Sequence, residues 1–204
     1  QINAAVDALG RAPAPPVLAP PPPAVSAADL DRLLEGALPD PGEIPANDRL
    51  TSNARWQRLD YLHPNEVIDQ NGGAPDPIAL QQTLRSRGYE GTVMASYGGK
   101  PGDLPSVSVN ADLYASEDGA RDAVATNDMP ELQLPLDPPV LVGDETTAYR
   151  GAWLATGSTL VVWRSGRVVY TVTYSDVPGF DRPDTLSAIA RLVSTRAQSL
   201  AVPQ

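Results

Sequence analysis

Gly157-Ser-Thr-Leu-Val-Val-Trp-Arg-Ser-Gly-Arg-Val-Val-Tyr-Thr-Val-Thr-Tyr174 holds two runs rich in β-branched and aromatic residues, Thr159 to Trp163 and Arg167 to Tyr174. Ser165-Gly166 separates them. Glycine at such a point supplies the positive φ of a tight turn, and both runs favour strand. With Ser165-Gly166 as a two-residue turn, the spacing predicts Trp163 opposite Val168, Val161 opposite Tyr170 and Thr159 opposite Val172. Side chains alternate along a strand, so one face carries Val161, Trp163, Val168, Tyr170, Val172 and Tyr174. The other carries the milder set Leu160, Val162, Val169, Thr171 and Thr173. The heavier face calls for a helix laid across it.

That helix is supplied downstream. From Pro183 or Asp184 onward, Leu186, Ile189, Ala190, Val193, Ala197 and Leu200 fall on one helical stripe. Upstream of the hairpin, Val140 to Val142 and Thr146 to Leu154 read as strands around the turn Gly143-Asp144-Glu145. Asn127 to Pro139 is proline-rich and reads as a loop. Ser116 to Ala125 has a serine cap and acids in its first turn, the pattern of a short helix. Val107, Val109, Ala111 and Leu113 alternate with polar residues, which predicts a half-buried strand, and Tyr89 to Tyr97 predicts another. Asp76-Pro77 opens a helix that Gly88 closes. Further back, Pro64 to Gln70 suggests a short helix and Pro45 to Leu62 an irregular crossing or short strand. Ser26, with Asp29 three residues later, starts a helix carrying Leu30, Leu33, Leu34 and Ala37. The expected fold is α+β: an antiparallel sheet with helices packed on one face, preceded by a proline-rich extended segment.

Residues 1 to 25 read as that appendage. Arg11 to Ala24 contains Pro13, Pro15, Pro16 and the run Pro20, Pro21, Pro22, Pro23, which fixes φ, removes donors and gives a stiff polyproline-II spacer. It serves either as a tether or as a docking peptide for an aromatic-lined groove. The expected division is a tether over 1–25, one domain over 26–200 and a tail over 201–204.

Composition excludes several function classes. Of 204 residues, 25 are acidic and 15 basic, a net charge of -10; the arginines are scattered and Lys100 is the lone lysine. That disfavours nucleic acid and anionic membrane surfaces, which need clustered cations. No apolar run approaches the ~20 residues of a spanning helix. The absence of cysteine removes disulfides, thiol chemistry and cysteine-ligated metal. The chain starts at Gln1, as it would after removal of an export signal or trimming, and a lipid anchor upstream of Gln1 fits the tether.

The order of these parts carries a resemblance. A strand running into Ala115-Ser-Glu-Asp-Gly-Ala120, then Val142-Gly-Asp-Glu145, then the hairpin Val161 to Val169 and a terminal amphipathic helix is similar to exported bacterial lipoprotein and sensor-type α+β domains. Those domains have a PsbP/Mog1-like fold and are mostly of unknown function. The resemblance covers residues 76 to 200 and implies an exported, non-enzymatic protein that binds other proteins or small ligands, with no catalytic residues carried over.

The residues themselves give little catalytic chemistry. His63, the single histidine, precedes a proline at a helix start and reads as a surface or capping residue. No serine sits in a Gly-x-Ser-x-Gly turn. Asn110, Asp112, Glu117, Asp118 and Asp122 offer the oxygen ligands calcium takes, although acids at a helix start already have a structural reason. Asp144 and Glu145 are adjacent and read as turn acids, not a catalytic pair. Asn71-Gly-Gly73 and Gly98-Gly-Lys-Pro-Gly102 read as turns, since neither matches a phosphate cradle. Trp56, Trp153, Trp163, Tyr149, Tyr170 and Tyr174 read as core before they read as a ligand cleft, with Trp153 singled out because its strand is expected near an edge. The expectation is therefore a non-catalytic binding or accessory protein without a cofactor. A protein partner would be met partly through Pro15, Pro16, Pro20 to Pro23 and Trp153. The alternative is a small-ligand carrier or sensor with an apolar pocket between the 159–174 hairpin and the last helix.

Overall fold

The computed structural model describes residues 32, 34–46, 50, 55–62, 76–98, 103–126, 134–137, 139–153, 156–180 and 182–200. Its elements are β1 (Arg55–Leu62), α1 (Pro77–Ser86), β2 (Tyr89–Gly98), β3 (Ser106–Tyr114), α2 (Glu117–Ala125), β4 (Leu134–Pro135), β5 (Glu145–Trp153), β6 (Thr156–Ser165), β7 (Val168–Asp176) and α3 (Pro183–Ser199). The strands form one sheet in the order β1-β2-β3-β7-β6-β5-β4, and every neighbouring pair is antiparallel. This is the expected α+β class.

Local chemistry sets the boundaries. The Ala79 amide donates to Asp76 Oδ1 at 2.9 Å with Pro77 in the first turn, and Gly88 at φ 68° ends the segment after α1. The Gly119 amide donates to Ser116 Oγ at 3.1 Å and so starts α2. Residues 34–37 are helical, as expected for the end of the first helix, and a 3₁₀ turn, Pro41–Glu43, follows the Pro39-Asp-Pro41 stop. The expected helix over Pro64 to Gln70, residues 1–25 and His63 lie outside the described residues.

Two local expectations are corrected. The hairpin turns at Gly166-Arg167, not Ser165-Gly166, so Ser165 pairs with Val168, Trp163 with Tyr170 and Val161 with Val172. Gly166 at φ 58° takes the first turn position, where the positive φ belongs in a hairpin of this length. The shift moves each partner by two residues and therefore leaves both faces as read. Residues 140–142 form no strand. Instead Val142 is tied to the hydroxyl of Thr146, which accepts from its amide and donates to its carbonyl. Gly143 turns the chain there at φ 65°, and a Cβ on it would overlap the Trp163 ring and lie 2.5 Å from the Arg164 carbonyl oxygen.

The heavy face is closed by α3. Val161, Trp163, Val168, Tyr170, Val172 and Tyr174 are buried in one cluster with Leu186, Ile189, Ala190, Val193 and Ala197. Burial of side chains of this size contributes roughly 1.5–3 kcal/mol each, so this layer dominates the stability. The second face is covered as well. Leu84 of α1 with Ala120 and Val124 of α2 packs against Leu160, Val162, Val169, Tyr89 and Tyr114. The helices thus form a second layer beyond the single face that was expected, because Leu160, Val162 and Val169 are apolar enough to need cover of their own.

A candidate binding cleft beside the last helix

The sequence places three kinds of candidate group, and the fold separates them. Pro15, Pro16 and Pro20 to Pro23 lie outside the described residues. Trp153 ends β5, where its backbone pairs with Thr156. The acids of 110–122 are not gathered around a common point. Asp122 meets Arg87 at 2.7 Å, Asp118 meets Arg121 at 2.5 Å, and Glu117 meets Arg164 at 3.6 Å. No group of three or more metal-ligating side chains occurs among the described residues.

Asp112 points to the α1–α2 side of the sheet, paired across it with Thr92 and Val169. Burial pushes its carboxyl up from 3.8 to about 6, and a hydrogen bond from the Thr92 side chain opposes that rise. The Tyr114 hydroxyl is raised by burial first and by the charge of Asp112 second. Asn110 Oδ1, two residues along the same face, is buried without a hydrogen-bond partner among the described residues.

Asp144 and Glu145 belong to a structural network. Arg164, buried on β6, reaches Asp144 at 3.4 Å, Glu145 at 3.5 Å and Glu117 at 3.6 Å, and donates to the Gly166 carbonyl at 3.0 Å. Arg121 adds a second contact to Glu145 at 3.1 Å, and Glu145 and Asp118 together hold its guanidinium pKa above the ordinary value, with the hydrogen bond to Glu145 as the largest cause. Asp144 Oδ2 also accepts from the Gly166 amide at 3.2 Å. The network pins the start of α2 to the tip of the β6–β7 hairpin.

The apolar pocket expected between hairpin and last helix is filled. The residues that would line it, Trp163, Tyr170, Tyr174, Ile189 and Val193 among them, are at most 1% exposed. An open cleft of about 560 Å³ lies instead at the flank of α3, against the 141–146 loop. Arg191, Ser194, Thr195 and Gln198 form its helical wall, and Leu141 with Asp144 stands on the opposite one. Positions 191, 194 and 198 recur at helical spacing and so share a side of α3. Leu141 is 77% exposed on the rim.

Sequence reasoning read α3 only by its apolar stripe and missed this polar row beside it. The signal was present as Arg191-x-x-Ser194-x-x-x-Gln198, but nothing in the sequence told which loop would face it. Arg164 was missed for the same reason.

No protein-family model matches the chain, and no curated protein matches it. Among solved structures it is similar to the extracellular domain of PknH from Mycobacterium tuberculosis, with 11% identity and a TM-score of 0.48. That match covers 83% of this chain and 96% of the other.

Proposed function

We propose that this chain is a non-catalytic binding module of an exported protein, one domain over 26–200 carried on the tether 1–25, and that its partner is a protein. The observation that carries the reading is the make-up of the cleft. Arg191, Ser194 and Gln198 offer hydrogen-bonding groups beside the exposed apolar Leu141, while the cleft's carboxylate, Asp144, is engaged by Arg164 and the Gly166 amide. A serine without an activating base binds better than it attacks. Placement outside the cytoplasm is supported by the proline-rich tether and by the likeness of element order to exported sensor-type domains. None of the described helices is long and apolar enough to cross a membrane.

The proline-rich segment is the second contact in this reading, because a stiff extended chain loses little entropy on docking. Photo-crosslinkers at position 141 and at position 17 test both contacts in the full chain. Capture of one defined protein from both positions, weakened by Arg191→Glu, is the expected result. Crosslinks spread over unrelated proteins and indifferent to Arg191→Glu would remove the reading.

The size of the cleft also suits a small ligand, since ordinary ligand sites enclose roughly 300–1,000 Å³. A carrier or sensor role then uses this cleft and not the hairpin–helix interface.

A further inference from the structure

Resting on the proposed binding role, we infer that the cleft beside α3 receives the C-terminal carboxylate of a protein chain that ends in an apolar residue. Arg191 is the reason for a carboxylate. Arg87, Arg121, Arg164, Arg167 and Arg196 each meet an acid within 3.6 Å. Arg191, like Arg85 on α1, is exposed and makes no ion pair with the described residues, although the chain as a whole carries ten more negative than positive charges. A guanidinium left open in so acidic a protein is a ready donor pair for a planar carboxylate.

Ser194 is the second observation. The other hydroxyls on this part of α3 are spent on the helix backbone: Ser187 donates to the Pro183 carbonyl at 2.6 Å, Thr195 to Arg191 at 2.9 Å and Ser199 to Arg196 at 2.6 Å. Ser194 lines the cleft, is 7% exposed and makes no such bond. Gln198, one turn further, adds a carboxamide that can both donate and accept, which is what a peptide unit next to a terminal carboxylate requires.

The opposite wall decides the rest of the ligand. Asp144 is partly offset by Arg164 and the Gly166 amide, and the Thr146 hydroxyl is bonded to Val142. Leu141 is what remains, an exposed apolar side chain on the rim. One open cation with an apolar neighbour matches one carboxylate beside an apolar side chain. A phosphate or polyacidic ligand would meet the net charge of -10 with a single arginine to offset it.

The test is an NMR titration of the full chain with a hexapeptide ending in leucine, its C-terminally amidated form, and N-acetyl-leucine. The free-acid hexapeptide is expected to shift the amides of 191–198 and 141–146 and to bind at least tenfold more tightly than the amide. Arg191→Gln is expected to remove that preference while the folded spectrum is retained, and Ser194→Ala to weaken binding severalfold. Equal binding of acid and amide, no shift up to roughly millimolar peptide, or an unaffected preference in Arg191→Gln would overturn the inference. N-acetyl-leucine binding as tightly as the hexapeptide would overturn it in favour of a free small acid. Crosslinking at position 141 that persists without any acid preference would leave the protein-binding role standing and remove only the carboxylate.

Discussion

Trp163 stands directly across the β6–β7 hairpin from Tyr170, and their rings stack at a centroid distance of 5.4 Å and an interplanar angle of 22°. Both are buried beneath α3, and the Trp163 indole N–H has no hydrogen-bond partner among the described residues. The ring acts there through volume and stacking. Trp163→Phe should therefore cost about 1–2 kcal/mol and Trp163→Ala about 3–5 kcal/mol, read from urea unfolding. Equal losses in the two variants would contradict that division.

Gly143 and Gly166 both have positive φ, but only Gly143 is crowded. Gly166→Ala places a methyl in open space and should lose only the backbone term, about 1–2 kcal/mol. Gly143→Ala adds a clash with Trp163 and the Arg164 carbonyl, and should lose clearly more. Thermal melts of the pair, run side by side, check the order.

Arg164 is the buried member of an ion network whose acids are half in solvent. Removing one acid, as in Glu117→Gln, should change stability by less than about 0.5 kcal/mol. Arg164→Ala leaves three carboxylates gathered at the hairpin tip without their common partner, and should cost about 2 kcal/mol or more. If Arg164→Ala proves as mild as Glu117→Gln, the network contributes nothing to holding α2.

Asp112 gives a pH dependence with a definite sign. Its carboxyl titrates at about 6 in the folded chain against an ordinary 3.8, so between those values the folded state holds the extra proton. Its contribution is fully present below pH ~4 and is lost as pH rises toward ~6, on the order of 1–3 kcal/mol. Asp112→Asn should flatten the stability profile in that window. Urea midpoints at pH 4, 5 and 6.5 in both proteins provide the comparison, and an unchanged slope in the variant would assign the dependence to other groups.

The cleft residues should separate binding from folding. Leu141 and Arg191 are exposed, so Leu141→Asp and Arg191→Gln are expected to melt within a few degrees of the unsubstituted chain. A large loss of stability in either would mean that it supports the fold.

Much of the architecture was legible because the hairpin has one clearly heavier apolar face and α3 one apolar stripe, and period-two and helical spacing report these directly. Asp76, Ser116 and Gly88 marked helix ends through chemistry that acts within a few residues. What was not legible depended on distant partners. Val140 to Val142 has the composition of a strand, yet the Thr146 hydroxyl and the Gly143 turn hold it out of the sheet. α1 and α2 are expected from the sequence, but their placement over Leu160 and Val162 is not, since the second face reads as the milder one. The cleft needed two segments some fifty residues apart to meet, which no local pattern encodes.

The tip at Gly166-Arg167 carries a rule of parity. Sliding one arm of the pairing by two residues would leave Trp163 and Tyr170 looking toward α3, whereas sliding it by one would turn that arm over and trade its contents between the two helical layers. Length variation at this tip among descendants of the same ancestral gene is accordingly expected to lengthen the loop, with the pairing itself kept or moved only in even steps.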